Sequence, residues 1–170
     1  MRAIIPALLT LTLGITATLA DEGNPRIDYE KFLSEAKRLQ SVREANRVSE
    51  DEFLGMAKEA NTVILDTRSK TKFDRIHVEG AIHLNFSDFS DASLAKLIPN
   101  KTTRILIYCN NNFDNEPASF PAKRAEVALN VPTFINLHAY GYENVHELKP
   151  LLDIHTTRIP MAGSAVLMKK

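Results

Sequence analysis

The only cysteine of the 170-residue chain is Cys109. It directly follows the apolar run from Ile105 to Tyr108 and precedes a polar stretch. One cysteine cannot form an internal disulfide bond, so the residue is a free reactive thiol, half of an intermolecular bridge, or an inert buried side chain. A thiol becomes a usable nucleophile at neutral pH where a helix N-terminus lowers its pKa. The surroundings of Cys109 therefore decide among these three interpretations.

The polar stretch after the cysteine, Asn110 to Phe120, reads NNNFDNEPASF and contains neither glycine nor a basic residue. Asparagine adopts left-handed backbone conformations more readily than other non-glycine residues. We therefore expect Asn110, Asn111 and Asn112 to curl this loop around the sulfur, and their amides to donate hydrogen bonds to a bound oxyanion. The alternative is an ordinary solvated turn. Phe113 either shields the pocket from water or anchors the loop.

The nearest basic side chains after the cysteine are Lys123 and Arg124. A helix is predicted from Pro121 to Leu129, with proline in its first turn, where the missing N–H is harmless. One of the two cations can bind substrate from that first turn; the alternative is that both are hydrated surface charges. The positive end of the helix dipole and the N–H groups of the loop favour an anion beside Cys109.

Two short apolar runs predict the strands that position the cysteine. Thr62 to Leu65 and Ile105 to Tyr108 are too short for helices and are polar at both ends, which is typical of strands buried on both faces. Helical stretches separate them. This alternation predicts an α/β fold, a parallel sheet with helices on both faces. Ligands bind at the carboxyl ends of the strands in such sheets, and Cys109 lies at one of those ends.

Further helix and strand signals occur along the rest of the chain. Ser49 and Glu52 form a capping-box pattern, which predicts a helix from Glu50 to about Glu59. Apolar residues at helical spacing predict an amphipathic helix from about Asp28 to Val42. The other predicted elements are a short helix and turn over Phe73–Ile82, a strand near Ala81–Leu84, a helix over Leu94–Ile98, a helix over Pro132–Tyr140 that Gly141 ends, and a last strand over Asn144–Leu148.

The first twenty residues have the layout of a secretory signal peptide, because Arg2 precedes a long apolar run that ends in small residues, and acidic residues begin at Asp21. We expect cleavage after Ala20, export, and a periplasmic mature protein. An uncleaved membrane anchor is the alternative, since the run is close to the ~20 residues that cross a bilayer. No later stretch is apolar enough to cross, so no stable membrane insertion is expected after cleavage.

The composition disfavours two classes of partner. The chain carries 21 Lys and Arg residues against 21 Asp and Glu residues, for a formal net charge of zero. Without a basic block, nucleic acid is not an expected partner. The five histidines show no paired metal-ligand spacing, and there is no second cysteine to assist them. We expect neither a metal site nor a cofactor.

Four motifs follow one another along the chain: ILDTR at Ile64–Arg68, KFDRIHVEGAIHLN at Lys72–Asn85, ILIYC at Ile105–Cys109 and GYENVHEL at Gly141–Leu148. In this order and spacing they resemble the rhodanese-like domain family, over roughly residues 47 to 148. The resemblance implies a parallel sheet of about five strands with helices on both faces. The expected organisation is a signal peptide (1–20), an N-terminal helical extension (21–46), a rhodanese-like domain (47–150) and a C-terminal tail (151–170) that packs on the domain or trails from it.

The resemblance implies sulfurtransferase chemistry at Cys109. In the rhodanese scheme a cysteine thiolate attacks a sulfane sulfur, holds it as a persulfide and passes it to an acceptor thiol or cyanide, which divides one difficult transfer into two easier steps. The implied partners are a small sulfur-containing substrate or an acceptor thiol protein. Asp66 and Arg68 are expected to form a structural pair that supports the cysteine strand. His77 is expected to bind a neighbouring backbone carbonyl and to steady the turn before Gly80.

The sequence departs from the family pattern close to the cysteine. Family members with ordinary sulfurtransferase activity have a short loop that contains glycine and commonly an arginine or lysine, whereas this loop is about twice as long and has neither. Ile76 and Glu79 replace the usual glycine and proline around His77. The alternative to a sulfurtransferase is therefore a catalytically silent binding or regulatory module. A cysteine-dependent phosphatase or arsenate reductase is a minor alternative, because Asn115 stands where phosphatases place arginine.

Overall fold

The computed structural model describes residues 23–167. The predicted signal peptide and its cleavage site lie outside the described residues. Within the described part, the strands are β1 (Arg47–Val48), β2 (Thr62–Asp66), β3 (His77–Val78), β4 (Ile82–His83), β5 (Arg104–Tyr108), β6 (Phe113–Asp114), β7 (Val145–Leu148), β8 (Leu152–Asp153) and β9 (Met161–Ala162). The helices are α1 (Tyr29–Ala45), α2 (Glu50–Met56), α3 (Lys70–Arg75), α4 (Asp91–Leu97), α5 (Asn130–Ala139) and α6 (Ser164–Leu167).

Five of the strands form one parallel sheet in the order β1-β7-β5-β2-β4. The strand that ends at the cysteine, β5, is therefore central, with β2 on one side and β7 on the other. The sheet confirms the predicted α/β fold with its parallel sheet of about five strands.

Burial on both faces of the sheet explains why β5 is apolar at every position after Arg104. Ile105 and Ile107 pack into one core cluster, on the same side as α1, α4 and α5. Leu106 and Tyr108 pack into a second cluster, which includes residues of α2 and of the C-terminal segment. Successive side chains of a strand point to opposite faces. Cys109 therefore follows Ile105 and Ile107 onto the side of α5.

The first two helices agree with their capping signals. The side chain of Asp28 accepts the backbone N–H of Lys31, and α1 continues to Ala45, somewhat beyond the predicted end. At α2 the Ser49 side chain caps the helix and Glu52 completes the capping box. This helix ends at Met56, before the predicted end near Glu59, because the chain after Gly55 tightens into turns with bonds from N–H to the third preceding carbonyl.

The helix predicted over Pro121–Leu129 is wrong. This segment holds only a short 3₁₀ turn at Ala125–Val127, none of whose residues is buried. A helix of this length needs a packed apolar face to be stable, and the segment buries none. The next helix along the chain is α5, which begins at Asn130, so the connection after the cysteine is longer than the sequence suggests. In α5, proline lies in the first turn as predicted, and Gly141 follows the helix with φ of 82°.

The described residues after β7, 149–167, show no clear periodicity in sequence and pack on the domain. Strand β8 pairs with β6, and β9 pairs antiparallel with β3. Ile159, between them, is buried in the second core cluster. In residues 23–167, no helix is both long and apolar enough to span a membrane.

Candidate active site

Cys109 lies immediately after β5, at the carboxyl edge of the sheet, and its side chain lines a cavity of about 250 Å³. The residue is only 2 % exposed. The backbone N–H of Asn112 donates to the cysteine Sγ. Further backbone N–H groups, from Asn111, Leu129 and Asn130, also reach the sulfur. The sulfur therefore lies in a nest of N–H groups made by the turn after β5 and by the beginning of α5.

The pKa of the Cys109 thiol is raised above its ordinary value, chiefly because burial disfavours the thiolate, and the negative charge of Glu147 raises this pKa further. The backbone N–H groups of Asn111, Asn130 and Leu129 act in the opposite direction and lower the pKa. The expectation that a helix N-terminus lowers the pKa of the Cys109 thiol is thus wrong for this cavity. Desolvation outweighs the N–H groups, and the neutral thiol is the favoured form.

The three asparagines after the cysteine form a 3₁₀ turn, Asn110–Asn112, instead of a left-handed curl. Among the described residues other than glycine, positive φ occurs only at Asn61 and Asn115. The prediction of left-handed backbone at the three consecutive asparagines is therefore wrong. Asn115, later in the same loop, has φ of 65° instead.

The amide of Asn112 holds the site together. Its Oδ1 accepts the backbone N–H of Cys109 at 2.8 Å and the side-chain amide of Asn130 at 2.9 Å. Its Nδ2 donates to the carbonyl of Leu148 at 2.7 Å. One side chain thus ties the ends of β5 and β7 to the start of α5, and its hydrogen bonds are used within the protein.

Asn111 and Asn110 differ in how their amides are used. The amide of Asn111 pairs with the backbone of Lys123, donating from Nδ2 to the carbonyl at 2.8 Å and accepting the N–H at 2.9 Å. Asn110 is buried, and its Oδ1 has no hydrogen-bond partner in the described structure. Asn110 lines a different cavity, of about 350 Å³, next to Arg68 and Lys123.

Besides Asn110, three further residues expected to bind substrate do not line the cavity around Cys109. Phe113 is buried in the opposite core cluster, against the rings of Tyr108 and Phe120, so it anchors the loop. Lys123 lines the second cavity. The side chain of Arg124 is 85 % exposed, because the predicted helix that would have aimed it inward does not form.

The cations of the Cys109 cavity come from elsewhere in the sequence. They are Arg43 of α1, Arg47 of β1 and Lys149, which follows β7. Two of the three precede the rhodanese-like motifs. The cavity also contains Glu147, which is 4 % exposed and whose Oε1 accepts Arg43 Nη2 at 2.7 Å.

Sequence reasoning missed these four residues, although one signal was available. Glu147 lies two positions after the apolar Val145 in the same predicted strand, so the two side chains point to the same face of the sheet. That face is buried, and a buried carboxylate is rare. The register then places Arg47 beside Glu147, and Glu147 beside Ile107 of β5.

Asp66 and Arg68 form a fully buried ion pair on the opposite face of the sheet from Cys109, with 2.5 Å between Asp66 Oδ2 and Arg68 Nη2. The same Oδ2 accepts the hydroxyl of Tyr108 at 2.5 Å. Arg68 also donates to the carbonyls of Ser119 and Ile76. This network fastens the long loop after the cysteine to the end of β2.

The Nδ1–H group of His77 donates a hydrogen bond to the carbonyl of Phe73 at 2.7 Å, and the His77 ring stacks on the Phe73 ring. Gly80 follows in the turn with φ of 80°. Neither residue lines the Cys109 cavity. Residues 23–167 contain no group of three or more His, Cys, Asp or Glu side chains arranged to hold a metal ion.

Two solved structures are similar to this chain. The Alr3790 protein from Anabaena sp. aligns with a TM-score of 0.50 and 18 % identity, over 72 % of this chain and 86 % of that one. A thiosulfate sulfurtransferase from Pseudomonas aeruginosa aligns with a TM-score of 0.46 and 19 % identity, over 69 % of this chain and 20 % of that one. At 18 % identity, the likeness to the Alr3790 protein bears on the fold alone. No curated protein matches significantly.

The family comparison covers more than half of the chain. The model of the rhodanese-like domain matches residues 49–149, from the cap of α2 to the residue after β7. The match begins after Arg43 and Arg47, so these two cavity residues lie outside the shared region. With its parallel sheet, its motif order and this match, the chain belongs to the rhodanese-like domain family.

Proposed function

We propose that this protein is an exported sulfurtransferase or persulfide carrier in which Cys109 is the nucleophile. The observation that carries the proposal is the nest of backbone N–H groups around the cysteine Sγ, at the carboxyl end of the central strand and the start of α5. N–H groups arranged in this way stabilise negative charge on sulfur, both on a thiolate and on a persulfide.

The proposed reaction has two steps. In the first, the Cys109 thiolate attacks the sulfane sulfur of a donor, a new bond to Sγ forms, and the donor's own bond to that sulfur breaks with its electron pair leaving on the donor remnant. In the second, an acceptor thiolate or cyanide attacks the outer sulfur, and the electron pair of the broken bond returns to Sγ. Sγ is the leaving group of the second step, and the N–H groups favour this step because they stabilise the departing thiolate.

The size and burial of the site favour a small partner. The cavity is about 250 Å³, and Cys109 is 2 % exposed. A small sulfur compound can enter such a cavity without large rearrangement, whereas an acceptor protein must insert a side chain. Small sulfur compounds are also the substrates that membership of the family suggests.

Export is part of the proposal and rests on the arrangement of residues 1–20. A cleaved signal peptide predicts that mature protein recovered from the periplasm begins at Asp21. Intact mass of protein from fractionated cells tests this. A full-length mass in the membrane fraction would instead indicate the uncleaved anchor.

A catalytically silent binding module is the second candidate. Two observations favour it: the pKa of Cys109 is raised by burial, and the turn after the cysteine provides no cation. The phosphatase alternative has less support, since Asn115 donates to Asp153 at 2.8 Å and does not line the cavity.

Turnover distinguishes the two main candidates. Mature protein is incubated with thiosulfate or polysulfide and with cyanide, and thiocyanate is measured for the wild type, Cys109→Ala and Cys109→Ser. Sulfur transfer predicts thiocyanate above the uncatalysed rate for the wild type alone. Equal rates for all three proteins, with the thiol shown to be reduced, would support the binding module.

A further inference from the structure

The wall of the Cys109 cavity contains buried charged atoms without hydrogen-bond partners. They are the Nε atoms of Arg43 and Arg47 and the Oε2 atom of Glu147. Buried polar atoms are nearly always hydrogen bonded in folded proteins, so unpaired donors and an unpaired acceptor together at a cavity indicate a ligand with complementary groups. The described residues provide no hydrogen-bond partner for these three atoms, and Arg47 Nε has only an ion-pair contact, at 3.7 Å, with Glu147 Oε1.

The sheet register explains how these groups meet the cysteine. Arg47 pairs with Glu147 across β1 and β7, and Glu147 pairs with Ile107 across β7 and β5. Cys109 lies two positions beyond Ile107 and hence on the same face of the sheet. The carboxylate of Glu147 is close enough to raise the pKa of the cysteine thiol.

The charges of this wall are not balanced. Glu147 pairs with Arg43 at 2.7 Å and with Arg47 at 3.7 Å, while Glu44 pairs with Arg47 at 3.2 Å and with Lys149 at 3.9 Å. Three cations thus face two carboxylates, and Glu44 is an exposed residue at the rim. A ligand carboxylate would lie against Arg47 and Lys149, and a ligand ammonium would pair with the free oxygen of Glu147, so a zwitterion would meet both kinds of charge without changing their net sum. A dianion such as thiosulfate would instead meet the Glu147 charge beside the sulfur.

We infer that the Cys109 cavity selects a small thiol or persulfide of amino-acid type, with its ammonium group on Glu147 and its carboxylate on Arg47 and Lys149. This inference rests on the proposed function, because it names the compound that exchanges sulfur with Cys109. Arg43 positions the Glu147 carboxylate. The two arginines belong to the α1–β1 segment, so this segment provides the specificity that the cation-free turn after the cysteine does not.

The transfer to such an acceptor is balanced without an oxidant or reductant. The acceptor thiol loses its proton to solvent, and its sulfur forms a bond to the outer sulfur of the Cys109 persulfide. The bond from that sulfur to Sγ breaks, and its electron pair leaves Cys109 as a thiolate. The product is the persulfide of the amino acid.

Four small thiols test the two halves of the recognition separately. Protein loaded with polysulfide is discharged by cysteine, which has both charged groups, by 3-mercaptopropionate, which has the carboxylate, by cysteamine, which has the ammonium, and by 2-mercaptoethanol, which has neither. Each rate is expressed as the ratio of wild type to variant, so the intrinsic reactivity of each thiol cancels.

Glu147→Gln should slow discharge by cysteine and cysteamine about tenfold or more, the usual effect of one hydrogen bond to a charged group. It should slow neither 2-mercaptoethanol nor 3-mercaptopropionate, because removal of the negative charge of Glu147 makes Sγ a better leaving group. Arg47→Gln should slow cysteine and 3-mercaptopropionate only. Glu44→Gln is the matched control, a carboxylate of the same cluster that does not line the cavity, and should slow none of the four.

The inference is overturned if the protein forms the persulfide but Glu147→Gln changes the discharge rates of all four thiols by the same factor. The proposed sulfur transfer would then still stand. If no persulfide forms, the proposed function fails, and calorimetry with S-methylcysteine and 3-(methylthio)propionate decides the inference. Binding of the first that is lost in Glu147→Gln upholds it, and absent or equal binding overturns it. Circular dichroism checks folding, and Arg47→Gln serves if Glu147→Gln does not fold.

Discussion

Buried charges lie on both faces of β5, and the two groups differ in how completely they are hydrogen bonded. On one face, Asp66, Arg68 and Tyr108 are buried, and none of their side-chain N or O atoms lacks a partner. On the other face, Arg43, Arg47 and Glu147 each have one buried atom without a hydrogen-bond partner. Tyr108 lies on the first face and Cys109 on the second, although the two residues are neighbours in the sequence.

The difference separates a structural network from a recognition site. A fully paired buried network rigidifies its surroundings and has no group left for a ligand. A partly paired network is costly in isolation and indicates that some of its bonds are made to another molecule. The face of Tyr108 thus holds the long loop in place, and the face of Cys109 is where we expect binding and chemistry.

The largest effect on the free energy of unfolding is expected on the face of β5 that carries Asp66, Arg68 and Tyr108. Asp66→Asn removes the charge that pairs with Arg68 and leaves a buried, uncompensated guanidinium, so the free energy of unfolding should fall by about 3–5 kcal/mol. Urea denaturation measures it. The control is Glu59→Gln, which removes an ion pair to Arg104 from a side chain that is 56 % exposed and should cost less than about 1 kcal/mol. Equal losses would contradict a structural role for the buried pair.

A smaller loss is expected from Tyr108→Phe. It removes the hydroxyl that donates to Asp66 and accepts the backbone N–H of Val78, so the free energy of unfolding should fall by about 1–3 kcal/mol. Tyr142→Phe is the control, since that buried hydroxyl donates to a neutral carbonyl, of Ile98, and should cost less. Sulfur transfer by both variants should match the wild type; a selective loss in Tyr108→Phe would mean that the two faces are coupled.

Glu147→Gln should affect stability less than Asp66→Asn, by under about 2 kcal/mol, because the released Arg43 side chain is 25 % exposed and can be hydrated. The same urea experiment compares the two variants directly. If Glu147→Gln lowered the free energy of unfolding more than Asp66→Asn does, the face of Glu147 would be the structural one, contrary to our assignment.

The smallest effect is on the pH dependence of thiol reactivity. Because the pKa of Cys109 is raised by burial and by Glu147, less thiolate exists at a given pH, and alkylation by iodoacetamide should rise with pH through a midpoint above that of a cysteine peptide. Glu147→Gln removes a negative charge, so its midpoint should lie below that of the wild type. A midpoint below that of the peptide in wild-type protein would contradict the account of the pocket.

The sheet could be predicted from the sequence because its signals are local. The apolar runs that became β2 and β5 are buried on both faces, and the Ser49–Glu52 capping box starts α2 as expected. Such patterns need only the residues themselves. The motif order adds the connections between the strands.

The cavity could not be predicted in the same way, because long-range contacts build it. Arg47 reaches the site through β1, a strand of two residues that pairs with β7 about a hundred positions later. Asn112 is oriented by the carbonyl of Leu148 and by the amide of Asn130. The segment over Pro121–Leu129 has helix-forming residues, but no packing stabilises the helix. None of these contacts leaves a local pattern.

The intact mass of protein comprising residues 21–170, after incubation with thiosulfate or a polysulfide, shows directly whether Cys109 carries sulfur. We expect a gain of one sulfur atom on the wild type, removal of that sulfur by cyanide, and no gain on Cys109→Ala. No adduct from either donor, on a thiol shown to be reduced and reactive toward iodoacetamide, would contradict the claim that Cys109 carries sulfur.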